Sequence, residues 1–127
     1  MRFSVWLSEQ FIAERAGRSD VPTNRRVILE SPFAGSVEAN VEYARLCLAD
    51  SLARGEAPIA SHLLYPQIVD DDIPAERRAG IDAGHAWLRG ADAVVVYTNR
   101  GISPGMAQGI ERAHRAGVPV EYRSIDI

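Results

Sequence analysis

Ala93-Val94-Val95-Val96-Tyr97 decides the fold. An apolar, valine-rich run with no polar interruption reads as a strand covered on both faces, the pattern of parallel sheets. Downstream, Asn99-Arg100-Gly101-Ile102 is a loop. Ser103-Pro104 then supplies a helix N-cap followed by proline at the first helical position. Met106, Ile110 and Ala113 continue that helix on one face, Gly117 ends it, and Val118 to Tyr122 is the last strand. Upstream, Pro74 opens a helix with Glu76 beside it, which runs past Ile81, Gly84, His85, Trp87 and Leu88 and stops at Gly90. Further back, Val27-Ile28-Leu29 is a short buried strand. Ser36 caps a helix carrying Val37, Val41, Ala44, Leu48 and Leu52, with Glu38 in its first turn, and Gly55 follows Arg54 at its end. Pro58-Ile59-Ala60 is another strand, and 61–72 is a long loop. Strands and helices alternate, so the chain is α/β: a parallel sheet of four to five strands with helices on both faces, joined by crossovers.

The remaining features set bounds. At 127 residues the chain is one domain, large enough to bury a core without a metal or disulfide staple. Residues 1–25 form an N-terminal extension, with a weak strand pattern at Phe3, Val5 and Leu7, a short helix from Ser8 to Ala16, and a polar linker; the α/β domain occupies 26–127. A single cysteine, Cys47, excludes a disulfide scaffold and fits the cytoplasm. With 14 basic against 17 acidic residues the formal charge is −3, and there is no long basic run, which disfavours a nucleic-acid clamp but leaves one basic face open. No apolar stretch is long enough for a membrane span.

Ligands of open parallel sheets bind beyond the carboxyl ends of the strands. Three loops should share that rim: Ser31 to Ser36, Ser61 to Gln67, and Thr98 to Gly105. The last brings a hydroxyl, a glycine and unpaired amides to a helix start, which suits a phosphate or carboxylate. Ser103 is equally a plain helix cap. Gly105, Gly109 and Ala113 form a smooth stripe, either for close helix–sheet packing or to leave room for a ligand at Gly109. Asp82 sits in mid-helix, facing solvent or the rim. Asp92 is a cap or turn residue, His62 is a rim candidate, and His85 and His114 are surface or boundary residues. Asp70-Asp71-Asp72 reads as a solvated turn. No His, Cys, Asp or Glu trio has zinc spacing, so neither a metal nor a cofactor is expected. Ser31 has no evident base partner in the sequence, and the Gly-x-Ser-x-Gly elbow is absent.

Val27 to Phe33, Asp82, Ala91 to Val96, Ser103-Pro104-Gly105-Met106 and Gly117-Val118-Pro119-Val120, in this order, resemble the nucleoside 2-deoxyribosyltransferase-like superfamily over 26–122. The likeness is greatest to small members from phages and bacteria. It implies a flavodoxin-like, Rossmannoid domain that cleaves or exchanges the N-glycosidic bond of deoxynucleosides or nucleoside monophosphates. Such chemistry uses a glutamate nucleophile on the last helix and an aspartate that assists the leaving base. By that resemblance Asp82 is the catalytic aspartate. Ser31, Pro32, Phe33, Gly35, His62, Ser103, Gly105, Met106 and Gly109 surround the ligand. The nucleophile's position falls on Gly109, and Glu111 lies about 200° further around the helix. Ser103 stands where the family carries an acidic residue.

Three readings follow. The first is a nucleotide- or nucleoside-binding protein that lacks the glutamate nucleophile. The second is an active N-glycosidase or deoxyribosyltransferase with relocated groups. The third is a non-enzymatic interaction protein built on this fold. The resemblance also implies a homodimer or larger assembly, with Trp87 and Leu88 as the apolar contribution.

Overall fold

A computed structural model describes residues 24–127. The expected strand and helix at Phe3 to Ala16, with most of the N-terminal extension, fall outside the described residues. Strand β1 is Arg25–Glu30 and helix α1 is Val37–Ala53. Strand β2, Glu56–Ile59, leads into a helical turn α2, Ser61–Leu64, and a 3-10 turn, Tyr65–Gln67. Then come α3, Pro74–Ala86, β3, Ala93–Tyr97, α4, Pro104–Ala116, and β4, Val120–Arg123. The four strands are all parallel, in the order β2-β1-β3-β4. This is the flavodoxin-like order, and its switch point lies between β1 and β3.

β1 alternates between the two layers, as strand geometry requires. Val27 and Leu29 pack with Ala93, Val95 and Tyr97 against Tyr43 and Cys47 of α1. Ile28 packs with Val94 and Val96 against Met106 and Ala113 of α4 and Leu88 after α3. Val94, Val95 and Val96 have no exposed surface, which is why no polar residue interrupts this strand. By the same alternation Glu30 lies on the α4 side, the fact on which the site depends.

Several local expectations need correction. The 61–72 segment is not a plain loop. Its first half coils into two helical turns that pack on α3, where Gly84 leaves space: a Cβ there would come within 3.1 Å of Ser61 Cβ. Ser36 precedes α1, but its side chain makes no capping bond. Asn40 secures the turn instead, donating to the carbonyls of Phe33 and Ala34 at 3.0 and 2.9 Å. β1 begins at Arg25, which pairs with Glu56, so the strand opens two residues before the Val27-Ile28-Leu29 run read from sequence. α3 ends at Ala86, well before Gly90. Asp92 closes a turn, its carboxylate accepting the Arg26 N–H at 2.8 Å. Ser103 does cap α4, accepting the Met106 N–H at 3.2 Å, and Gly117 ends that helix in the left-handed conformation, φ 71°.

On the α1 side an ionic network joins the two edge strands. Glu56 accepts from both Arg123 terminal nitrogens (2.8 and 2.6 Å), from Arg25 (2.7 Å) and from Ser51 (2.7 Å). Burial works to raise the Glu56 pKa, but the bonds from Arg123, Arg25 and Ser51 prevail and hold it at about 2. The folded carboxylate therefore resists protonation more than the unfolded one. Its contribution is full above pH 4.5 and is lost as pH falls toward about 2. Glu56→Ala leaves the buried Arg123 guanidinium without its main partner, and a loss of about 3–5 kcal/mol is expected in urea unfolding at pH 7.

Candidate active site

A cavity of about 490 Å³ opens at the carboxyl ends of β1 and β3, within the ~300–1,000 Å³ of small-molecule sites. Its floor is Ile28, Glu30 and Ser31. One wall is α4 with Ser103, Gly105, Gln108 and Gly109. The opposite wall is the 61–69 segment and α3, contributing His62, Tyr65, Val69, Gly84 and His85. Trp87 Nε1 donates to the Tyr65 hydroxyl at 3.0 Å and ties that segment to the helix end. The lining mixes aromatic and aliphatic surface with a few polar groups, which suits a ligand having one flat apolar part and one hydroxyl-rich part.

Glu30 is the half-buried acid of this cavity. Its carboxyl makes no hydrogen bond or ion pair among the described residues. Burial alone pushes its pKa up to about 8, so it is protonated at neutral pH and can donate. The group lies over Gly109. A Cβ built on Gly109 would come within 2.8 Å of Glu30 Cδ and nearer still to Oε2. The absent side chain of α4 is what allows a carboxyl from β1 to occupy that space.

Beside it, Ser31 Oγ lies 2.7 Å from His62 Nε2. Ser31 is 4% exposed, and Phe33 meets the His62 ring edge-on at 6.5 Å between centroids. Burial lowers the His62 pKa to about 4, so the ring is neutral at pH 7 and a hydroxyl–imidazole pair results. Sequence reasoning found no base for Ser31. The structure supplies an imidazole hydrogen-bond partner, because β2 pairs alongside β1 and delivers the start of α2 to the same rim.

Of the residues expected at the site, Ser31, Phe33, His62, Ser103, Gly105 and Gly109 line this one cavity. Pro32 and Gly35 do not line it. Met106 is buried in the core, 1% exposed, and its sulfur accepts the Ser103 N–H at 3.4 Å. Asp82 is exposed on α3 and absent from the lining. Glu30, Tyr65 and Gln108, which also line the cavity, are not site candidates from the sequence. Glu30 did leave a trace: a charged residue ending an apolar strand at the rim, opposite a glycine where the resembled enzymes carry glutamate. His85, read as a surface or boundary residue, lines the cavity with a buried Nδ1 that has no hydrogen-bond partner. Cys47 is buried in the core and its thiol is pushed up to about 12 by burial, so it is no nucleophile at neutral pH.

Among the described residues no group of three or more His, Cys, Asp or Glu could hold a metal ion, and no helix is long and apolar enough to cross a membrane. A family model described as "Domain of unknown function (DUF7768)" matches residues 25–123. No curated protein and no solved structure matches the chain.

Proposed function

The chain belongs to the DUF7768 family, and from its cavity we propose that it binds a nucleoside or nucleotide and hydrolyses the N-glycosidic bond, with Glu30 as the acid. The observation that carries this reading is the unpartnered Glu30 carboxyl lying over Gly109 in a cavity of ligand size. N-glycosidic cleavage breaks the bond between sugar C1 and a base nitrogen, and the bonding pair leaves with the base. The base must gain a proton and the electron-poor carbon must gain an oxygen. Glu30, protonated at neutral pH, supplies the proton. Water supplies the oxygen, and its surplus proton returns to the Glu30 carboxylate. The neutral Ser31–His62 pair holds hydroxyls or the attacking water. The aromatic walls at Phe33 and Tyr65 favour the base, since both rings offer flat apolar surface.

Relative to the readings from sequence, this places the lost carboxyl on another element and needs no role for Asp82. The test is release of free base from a panel of deoxynucleosides, nucleosides and their monophosphates, followed by chromatography. Base release by the wild-type chain supports hydrolysis. Thermal stabilisation by the same compounds without release leaves the binding reading and removes the chemistry. A cytoplasmic setting and a homodimer that uses Trp87, 47% exposed at the end of α3, belong to the same proposal. Light scattering at the mass of one chain would remove the dimer.

A further inference from the structure

A second, open depression of about 1,320 Å³ runs between α3 and α4. It is continuous with the Glu30 cavity, sharing Asp71, Arg77, Ile81, His85, Leu88 and Gln108 with it. Five arginines line it, against the carboxylates Asp71 and Glu111, in a chain whose formal charge is −3. Arg115 is paired with Glu111 at 2.8 Å. Arg77, Arg78, Arg89 and Arg112 make no side-chain hydrogen bond or ion pair among the described residues. Positive charge is thus gathered on one groove, five guanidiniums against two carboxylates.

We propose that this groove holds the phosphate chain of the cavity's ligand, so that the preferred substrate class is a nucleoside carrying two or more phosphates. The inference rests on the reading of the cavity as a nucleoside site. Arg77 and His85 stand at the junction of the two spaces, where a sugar in the cavity would pass its phosphates outward. The buried His85 Nδ1, which has no partner in the protein, marks a polar contact still to be made at that junction. The chain contains no lysine, so every cation in the groove is a guanidinium, whose planar fork matches two phosphate oxygens at once. Arg77 and Arg78 lie in the first turns of α3 and Arg89 just beyond its end at Ala86, so the guanidiniums are spread along the groove and not gathered around a single phosphate. Long nucleic acid is disfavoured, because the chain as a whole carries a formal charge of −3 and has no long basic run.

The experiment is calorimetric titration of the full chain with inorganic tripolyphosphate, a nucleoside, its triphosphate and a ten-residue oligodeoxynucleotide. It is repeated on the double variant Arg77→Gln/Arg112→Gln, and on Arg54→Gln, just past the end of α1, as a control away from the groove. Circular dichroism checks that each variant is folded; exposed arginines tolerate this change. Expected are salt-sensitive binding of tripolyphosphate and at least about tenfold tighter binding of the triphosphate than of the nucleoside. Both should be lost in the double variant and kept in Arg54→Gln. Nucleoside binding with no gain from phosphates overturns the inference and leaves the cavity reading standing. Arginine-dependent phosphate binding without base release supports the groove and sinks the proposed hydrolysis. An oligonucleotide that outcompetes the triphosphate tenfold, or no binding of any probe, overturns the inference.

Discussion

Glu30→Gln is expected to abolish base release, by about 10²–10⁴-fold in kcat, while ligand affinity stays within a few-fold. Glutamine keeps the shape and polarity of the group but cannot deliver a proton to the leaving base. The wild-type rate should fall as pH rises through about 8, where the buried carboxyl loses its proton. The same change has a stability signature. Between pH 4.5 and about 8 the folded chain holds a proton that the unfolded chain releases, so stability falls with rising pH across that window. Glu30→Gln removes the penalty for a buried carboxylate. At pH 9 it should stabilise the fold by on the order of 2 kcal/mol, and at pH 4 it should change little. A dead variant that is also more stable at high pH is hard to attribute to misfolding. Wild-type kcat in the variant would remove Glu30 from the chemistry. A flat stability difference between pH 4 and 9 would mean that the carboxyl is not buried in solution.

The second large effect concerns Gly109. From sequence alone Gly109→Glu reads as a change that could restore a missing carboxylate. The structure reverses that expectation, because the place is already taken by Glu30. Even Gly109→Ala drives a methyl into the Glu30 carboxyl, which swings aside because it is the free end of a flexible side chain. Gly109→Ala should therefore fold and bind ligand, yet lose about 10²-fold in kcat through misplacement of the acid. Gly109→Glu should be inactive, with two carboxyls competing for one space. Combined with Glu30→Ala, Gly109→Glu returns a single carboxyl to the same volume from the opposite wall. Activity above that of either single variant is expected, a non-additivity that belongs to groups sharing one position. Unchanged activity in Gly109→Ala would show that the two residues do not meet in solution.

The histidines and carboxylates of this chain show where sequence reasoning succeeds and where it stops. Ser103 was legible as a helix cap because capping is settled within four residues, and the hydroxyl does accept the Met106 N–H. Gly109 was legible as a gap in a pattern. What filled the gap was not, since Glu30 lies 79 positions earlier and reaches Gly109 only because β1 is central and its even-numbered residues face α4. Asp82 attracted attention through its place in a motif order. On the folded helix it is turned to solvent, and His85, one turn on, is the residue that faces the cavity. His62 gained its meaning only when β2 paired with β1 and brought the imidazole to Ser31.

Local chemistry was sufficient for the α/β class, the parallel sheet and the three loops that share the cavity. Valine runs, helical spacing and glycine stops act over a few residues, and each is written in the chain itself. The identity of the proposed acid was decided by tertiary structure alone. A carboxyl becomes an acid near pH 8 through what surrounds it, and those surroundings are assembled from β1, α2, α3 and α4, which no stretch of sequence holds together.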